Sequence, residues 1–294
     1  MRFGSLALSA PAKINLTLEI LQRRDDGYHA LRSVMVPVAL ADELAFAPAT
    51  RFDFTCDPPA LTAGNLVVRA LAQIGLADAP LAVTLRKRTP VGAGLGGGSS
   101  DAATVLRAAM QGELGPVGAR DWIADARALG SDVPFFLADG PALIEGTGER
   151  VTALGAPPPW WIVLVVPPVH VATGDAYGRL AASRAAAPPP TRPRAESLSI
   201  RCGEALQRHD YPGVLATMTN DFEPIVAEIY PQVRAALDAL AGAGAARPML
   251  SGSGGSCFAL FANEEQARAC ASAIRTPPGA TIAVVPFARG GAWR

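Results

Sequence analysis

The chain has 294 residues, enough for an extensive core and for two domains of roughly 150 residues each. Half of the residues are hydrophobic, 18% are charged and the formal net charge is zero, which argues against nucleic acid or an anionic membrane surface as a partner. The apolar run at residues 160–166 is too short to span a bilayer.

Targeting and metal signals are weak. Lys13 and Asn15 interrupt the apolar patch at the N-terminus before a signal peptide is complete, so we expect a cytoplasmic protein. The four cysteines form no C-x-x-C pair and the three histidines lack metal-ligand spacing, which argues against a disulfide framework and structural zinc. The expected partner is a small-molecule substrate, and the expected oligomeric state is a monomer or weak homodimer.

The predicted elements alternate between strands and helices. In chain order we expect strands at 6–21 and 30–46, a helix at 65–76, a strand at 81–88, a glycine-rich loop, helices at 102–110 and 121–129, and strands within 141–154. The proline cluster at 157–159 predicts a domain junction, giving domains 1–157 and 158–294. The second half predicts a strand at 160–166, helices at 174–183, 195–209 and 231–241, two strands, a helix at 264–274 and a strand at 281–287. This order favours an α+β fold, and the proline-rich segment 185–193 is predicted to be a mobile loop.

The most informative segment is residues 90–101, which has glycines at 92, 94, 96, 97 and 98 before two serines and a helical run. Uncovered backbone N–H groups and the positive end of a helix together make a phosphate site. The G-x-G-x-x-G match at 92–97 does not fit a dinucleotide fold, because the preceding strand ends in charges and Pro90. The Walker form is absent, since no lysine follows the glycines. A flexible linker is the alternative, which the flanking strand and helix patterns disfavour.

Three other segments place polar residues where chemistry is possible. Lys13 and Asn15 are two apart on a predicted strand and so share a face, where they either meet a ligand or lie on an exposed edge. Asp132 precedes an apolar run and is either a functional carboxylate or a turn residue. Residues 248–261 contain a second glycine-rich turn between two strands, which alone would be read as a hairpin.

Taken together, these segments resemble the GHMP kinase superfamily of galactose, homoserine, mevalonate and phosphomevalonate kinases. Its three motifs occur in order at residues 11–16, 90–100 and 250–258. The segments at 24–31, 96–98, 130–136 and 220–224 narrow the resemblance to the kinases of the non-mevalonate isoprenoid route, whose acceptor is a methylerythritol that carries a cytidine diphosphate. The resemblance implies a two-domain α+β architecture, with an N-terminal domain like ribosomal protein S5 domain 2 and a ferredoxin-like C-terminal domain around a cleft.

The resemblance also implies roles in catalysis. Asp132 would accept the proton of the acceptor's C2 hydroxyl as it attacks the γ-phosphate of ATP, and Lys13 would keep that aspartate ionised and neutralise charge on the phosphoryl group. Asn65 and Lys87 would lie near the adenine. The phosphates would lie on the glycine-rich loop, which comprises Pro90, Val91, Gly92, Ala93, Gly94, Leu95, Gly96, Gly97, Gly98, Ser99 and Ser100. Mg²⁺ is the expected cofactor, within reach of Ser99 or Ser100, although the sequence identifies no acidic ligand for it.

The acceptor side follows from the same resemblance. Asn15, Tyr28, His29 and Thr173 would bind the acceptor, with His29 on a cytosine edge, and Tyr177 would stack on the cytosine ring. We also expect a side chain at position 97 to block the approach of phosphate to the backbone.

Two alternatives stay open on the sequence. A related GHMP kinase acting on homoserine or a mevalonate derivative would not need the Gly-Tyr-His segment at 27–29. An RNA-binding or regulatory module could keep the S5-like scaffold without catalysis, although the neutral charge and the retained Lys13, Asp132 and glycine-rich loop count against it.

Overall fold

The computed structural model describes residues 4–23, 29–186 and 197–289. Tyr28 and most of the predicted loop at 185–193 lie outside the described residues.

A large mixed sheet occupies the first half of the chain. Its strands are β1 (Leu6–Asn15), β2 (Thr17–Arg23), β3 (His29–Pro48), β4 (Asp53–Asp57), β5 (Leu81–Arg86), β6 (Ala142–Gly146) and β7 (Arg150–Ala153). The long strand β3 pairs antiparallel with β1, β2, β5 and β6 along different parts of its length. Strand β5 alternates buried and more exposed residues, as expected of a strand with one face on a core.

Three helices cover one face of this sheet: α1 (Leu66–Gln73), α2 (Gly97–Met110) and α3 (Trp122–Leu129). Their apolar residues, including Val67 and Leu106, join Leu44 and Phe46 of β3 in one core. The N-terminus of α2 lies beside the chain that leaves β5, since a Cβ at Gly97 would lie 2.9 Å from Thr89 Cγ2.

A second sheet is built from the later part of the chain. Its strands β8 (Trp161–Val166), β10 (Met249–Leu250), β11 (Cys257–Phe261) and β12 (Thr281–Pro286) are ordered β10-β11-β8-β12, with antiparallel neighbours. Helices connect β8 to β10, and α9 (Glu264–Ala273) connects β11 to β12. This is the βαββαβ order of a ferredoxin-like unit, as the sequence predicted.

The connection from β8 to β10 is mostly helical. It contains α4 (Thr173–Ala186), α5 (Leu198–Gln207), α6 (Tyr211–Thr217), α7 (Glu223–Ile229) and α8 (Pro231–Gly242), with the short strand β9 (Thr219–Asn220) between α6 and α7. Strand β9 pairs in parallel with β2 of the first sheet. A core that includes Ile14, Val36, Ile162 and Phe258 fills the space between the two sheets.

Several predicted bounds were wrong. The strand expected at 6–21 is broken at Leu16, and β4, α6 and α7 were not predicted. The two missed helices are seven residues long and have proline in their first turn, so they lack the periodic pattern of a longer helix. No helix among those that the structure describes has both the length and the apolar character needed to cross a bilayer.

Candidate active site

The glycine-rich loop is the common wall of two cavities. The first cavity, of about 450 Å³, is lined by the loop, the start of α2 and residues 60–66. The second cavity, of about 390 Å³, is lined by Lys13, Asn15 and Asp132 together with residues of the second half of the chain. Gly92, Gly94 and Gly96 line both cavities. A group bound in one cavity is therefore separated from the other only by this loop.

Backbone geometry explains the glycines of the loop. Gly94 and Gly96 have φ values of 77° and 70°, in the region that favours glycine, and Gly96 is the residue that precedes α2. The loop is held from both sides, because Lys13 N donates to Leu95 O at 2.9 Å and Ser256 N donates to Ala93 O at 3.1 Å. The free N–H groups at the start of α2 make the first cavity suited to an anion.

The members of the predicted loop do not all face the first cavity. Residues 90–99 line it, whereas Ser100 is fully buried and is not part of the lining. A Cβ at Gly97 would lie 2.9 Å from Thr89 Cγ2 and 3.2 Å from Asp42 Oδ2. The prediction that a side chain at position 97 would point toward the phosphate was therefore wrong. Such a side chain would collide with Thr89 and Asp42 beneath the loop.

Lys87 is held in a buried ion cluster at the edge of the first cavity. Its Nζ contacts Asp42 Oδ2 and lies 2.6 Å from Asp101 Oδ2. Burial disfavours the charge on Lys87, but the carboxylates of Asp101 and Asp42 outweigh it, so the pKa of Lys87 is raised. Asp42 Oδ1 also accepts from Arg88 N at 2.5 Å and from Thr89 N at 2.7 Å, which fixes the chain entering the glycine-rich loop.

The carboxyl group of Asp101 lies in an unfavourable environment for its charged form. Burial raises its pKa to about 7, with the charge of Asp42 adding to the effect and that of Lys87 opposing it. Its Oδ1 is buried and finds no hydrogen-bond partner among the described residues. Two carboxylates share one ammonium here, so the cluster carries excess negative charge whenever Asp101 is ionised.

Asn65 lines the first cavity, but its side chain already serves the fold. Its Oδ1 accepts from Val67 N at 2.9 Å as the N-cap of α1, and its Nδ2 donates to Leu61 O at 2.9 Å. Asn65 thus shapes the wall of the cavity through the start of α1.

Lys13, Asn15 and Asp132 lie together at the second cavity. Lys13 Nζ donates to Asn15 Oδ1 at 2.7 Å and lies 3.6 Å from Asp132 Oδ2. Lys13 is only 3% exposed, which excludes its reading as an exposed edge residue, whereas the Asp132 side chain is 30% exposed. An ammonium has three donors, so Lys13 keeps hydrogen-bonding capacity beyond Asn15.

A chain of hydrogen bonds supports Asn15 from behind. Asn15 Nδ2 donates to Ser33 Oγ at 2.8 Å, and Ser33 Oγ donates to Thr17 O at 2.5 Å. Thr17 Oγ1 in turn accepts from Val34 N at 2.8 Å. Ser33 and Thr17 could not be identified from the sequence, because each is a single small polar residue within an apolar strand and gives no pattern of its own.

The far side of the second cavity is aromatic. Tyr177 lines it, stacks on His29 with ring centroids 5.7 Å apart, and meets Phe222 edge to face at 4.8 Å. Burial raises the pKa of Tyr177 to about 12, with a smaller contribution from Asp132, so the phenol stays neutral. Thr173 Oγ1 lies 2.8 Å from Ser253 Oγ, which ties the start of α4 to the second glycine-rich turn.

Two lining residues had not been identified from the sequence. His170 is exposed, lines the second cavity and lies so close to Gly92 that a Cβ there would collide with its imidazole. Phe222 supports the ring of Tyr177 from a different segment. Neither stands out in the sequence, because contacts between residues so far apart in the chain appear only once the two sheets are packed.

The second glycine-rich turn, residues 251–256 between β10 and β11, closes the cavity over Lys13. Ser251 Oγ donates to Gly94 O at 3.1 Å. A Cβ at Gly252 would lie 3.2 Å from Lys13 Nζ. This turn, which could have been a plain hairpin, therefore packs on both the glycine-rich loop and the buried lysine.

The described residues contain no cluster of three or more His, Cys, Asp or Glu side chains that could hold a metal ion.

Comparisons with known proteins show which family the chain is similar to. The family model "GHMP kinases N terminal domain" matches residues 65–140, and "GHMP kinases C terminal" matches residues 204–278. The chain is 38% identical over 289 residues to the 4-diphosphocytidyl-2-C-methyl-D-erythritol kinase of Citrifermentans bemidjiense, covering 95% of this chain and 98% of that protein. It is 36% identical to the same kinase of Paramagnetospirillum magneticum, covering 92% of this chain and 94% of that protein.

Solved structures give the same relation. A crystal structure of 4-(cytidine 5'-diphospho)-2C-methyl-D-erythritol kinase superposes with a TM-score of 0.76 at 35% identity and covers 96% of this chain and 100% of that one. Homoserine kinase from Cytophaga hutchinsonii superposes with a TM-score of 0.72 at 19% identity, covering 100% and 98% of the two chains, which shows a shared fold.

Proposed function

The chain belongs to the GHMP kinases and, among them, to the 4-diphosphocytidyl-2-C-methyl-D-erythritol kinase family, and from this we propose how its residues phosphorylate that acceptor. It is a kinase. The reaction transfers the γ-phosphoryl group of ATP to the C2 hydroxyl of 4-diphosphocytidyl-2-C-methyl-D-erythritol. The proposal rests on one observation: the glycine-rich loop is the shared wall of two cavities. The anion site lies in the first cavity, and Lys13 and Asp132 line the second.

ATP occupies the first cavity in this proposal. Its phosphates lie on the N–H groups of residues 92–99 and at the start of α2, where the helix dipole favours negative charge. The adenine lies toward residues 60–66 and Lys87. Because the ammonium of Lys87 is already shared between Asp42 and Asp101, its contribution is to hold the base of the loop in place.

The acceptor occupies the second cavity. Tyr177 offers a neutral ring on which cytosine can stack, and His29 lies against the same ring. Asn15 and Thr173 line the same cavity and face the polar part of the acceptor. Tyr28, which lies outside the described residues, is proposed as a further acceptor contact.

Asp132 accepts the proton of the C2 hydroxyl as that oxygen attacks the γ-phosphorus. Lys13, whose Nζ lies 3.6 Å from Asp132 Oδ2, stabilises negative charge on the phosphoryl group during the transfer. Asn15 fixes the ammonium, and Ser33 fixes Asn15. Positioning and charge stabilisation account for most catalysis in phosphoryl transfer, so the proposed mechanism asks of Asp132 only that it accept this proton.

Mg²⁺ is proposed as the cofactor. Magnesium prefers oxygen ligands and keeps several waters, commonly binding through few protein groups and the phosphates of its substrate. Ser99 lines the first cavity and fits as a hydroxyl ligand, whereas the buried Ser100 does not face it. When bound, the ion would neutralise charge on the phosphate oxygens.

The alternative acceptors have less support. Homoserine and mevalonate have no ring to stack on Tyr177, and the related homoserine kinase structure shares only 19% identity with this chain. A non-catalytic module would not require a buried lysine next to a half-exposed carboxylate.

We also propose a domain division between residues 157 and 158, supported by the start of the second sheet at β8, together with a cytoplasmic location and a monomer or weak homodimer. Size-exclusion chromatography with light scattering tests the last of these directly.

Ligand binding tests the two-cavity assignment. A non-hydrolysable ATP analogue and cytidine diphosphate should bind together, each with little effect on the affinity of the other, and a crystal soaked with both should show them on opposite sides of residues 92–96. Mutual competition between the two ligands in calorimetric titrations would contradict the assignment.

A further inference from the structure

Asn220 lies where the two sheets meet. It belongs to the short strand β9, which pairs with Leu18 of β2, and it is 4% exposed. Strand β2 begins two residues after Asn15, so Asn220 is attached to the same stretch of chain that carries the Lys13 and Asn15 pair.

The Asn220 amide makes three hydrogen bonds, which use both of its N–H donors and its oxygen. Its Nδ2 donates to Leu250 O at 2.9 Å and to Gly252 O at 2.8 Å. Its Oδ1 accepts from Phe222 N at 2.9 Å. The donors therefore hold the end of β10 and the start of the 251–256 turn, and the acceptor holds Phe222, which supports Tyr177.

The turn that Asn220 holds is in contact with the reacting side of the site. Ser251 Oγ donates to Gly94 O at 3.1 Å, and Ser256 N donates to Ala93 O at 3.1 Å. Gly252 faces Lys13, since a Cβ on it would lie 3.2 Å from Nζ. A shift of the turn would move the glycine-rich loop and the environment of the lysine together.

We propose that Asn220 is a positioning residue for phosphoryl transfer, whose amide N–H groups hold the 251–256 turn against Lys13 and the glycine-rich loop. Misplacing reacting groups by about 1 Å can cost on the order of a hundredfold in rate. The inference rests on the proposed kinase activity, which turnover by the wild-type enzyme tests separately.

Asn220→Asp tests the donor role of the amide separately from its acceptor role. It keeps Oδ1 as an acceptor for Phe222 N but places an oxygen opposite the carbonyls of Leu250 and Gly252. We expect kcat to fall roughly ten- to a hundredfold. We expect the KM for the cytidine acceptor to stay within about threefold of wild type, less than the tenfold change that 1.4 kcal/mol would give, because Phe222 and Tyr177 stay in place.

Thr217→Val is the matched control for a purely structural loss. Thr217 is also buried and donates to backbone carbonyls, but these belong to Gly213 and Val214 of its own helix. We expect this variant to lower Tm while kcat of the folded enzyme stays at the wild-type value. Asn220→Ala is the second test, and we expect it to lower kcat and also raise the acceptor KM, because Phe222 N loses its acceptor.

Three results would overturn the proposal. One is that Asn220→Asp lowers Tm but keeps the wild-type kcat. Another is that Thr217→Val, at the same loss of Tm as Asn220→Asp, shows the same fall in kcat. The third is failure of both Asn220 variants to fold when Thr217→Val folds, which would assign Asn220 to stability alone.

Discussion

Lys13 Nζ lies 3.6 Å from Asp132 Oδ2, although the two residues come from different elements and differ sharply in exposure. The lysine is buried and fixed by Asn15, while the carboxylate faces the second cavity. This pairs a fixed positive charge with an accessible carboxylate, which is the arrangement on which the proposed mechanism depends.

Asp132→Asn should lower kcat by about 10²–10⁴-fold, the usual contribution of a positioned base. The KM values for ATP and the acceptor should change little, because the amide keeps the size of the carboxylate. Steady-state kinetics with both substrates varied provides the check, with the exposed Asp78→Asn as the control. If Asp132→Asn turns over at a near-normal rate, Asp132 is not the base.

Lys13→Met should also lower kcat strongly, and its effect should not multiply with that of Asp132→Asn. Residues that act as one unit show non-additive losses, because removing either partner already removes their joint effect. The four kcat values of the double-mutant cycle measure this coupling. Independent, fully multiplicative losses would mean that Lys13 and Asp132 serve separate steps.

The buried Asp101 predicts a pH dependence of stability. Its pKa is about 7 in the folded protein, against the ordinary value of 3.8, so between these values the folded state holds a proton that the unfolded state has lost. The stabilisation is therefore complete below about pH 4 and is lost as the pH rises through about 7.

Denaturant unfolding at pH 5 and pH 8 measures this effect. The free energy of unfolding should fall more between these pH values in the wild type than in Asp101→Asn, since the asparagine does not titrate. Asp139→Asn, at an exposed carboxylate, should keep the wild-type dependence. Equal slopes in wild type and Asp101→Asn would show that Asp101 is ionised throughout.

Tyr177→Ala should weaken binding of the cytidine acceptor by about 1–3 kcal/mol, the range for stacking of a base on an aromatic ring. This corresponds to roughly a ten- to hundredfold loss of affinity. Tyr177→Phe keeps the ring and should bind the acceptor nearly as well as wild type, and neither variant should change ATP affinity. Titration calorimetry distinguishes these outcomes, and equal losses for both ligands in Tyr177→Ala would indicate misfolding instead.

Local periodicity made part of the site predictable. Lys13 and Asn15 share a face because strand side chains alternate, and the structure joins them by a 2.7 Å hydrogen bond. The glycine-rich loop was also predictable from a local pattern, because clustered glycines before a helix allow positive φ angles and leave backbone N–H groups uncovered. The ferredoxin-like order of the second sheet followed from the family resemblance.

Long-range contacts made the rest unpredictable. Lys87 was expected near the adenine, yet its ammonium is shared between the carboxylates of Asp42 and Asp101. Asn220 contacts a turn 30 residues away along the chain, which no local pattern encodes. A side chain at position 97 would contact Thr89 and Asp42, and these contacts could be known only from the packed structure.

The choice of acceptor is the most direct test of the central claim. ADP release should be measured with ATP and Mg²⁺ and, in parallel, with 4-diphosphocytidyl-2-C-methyl-D-erythritol, homoserine and mevalonate. The structure predicts turnover with the cytidine compound alone, because only that acceptor has a base to stack on Tyr177. Faster turnover of homoserine or mevalonate would contradict the acceptor assignment, and turnover of none of the three would contradict the kinase mechanism built on Lys13 and Asp132.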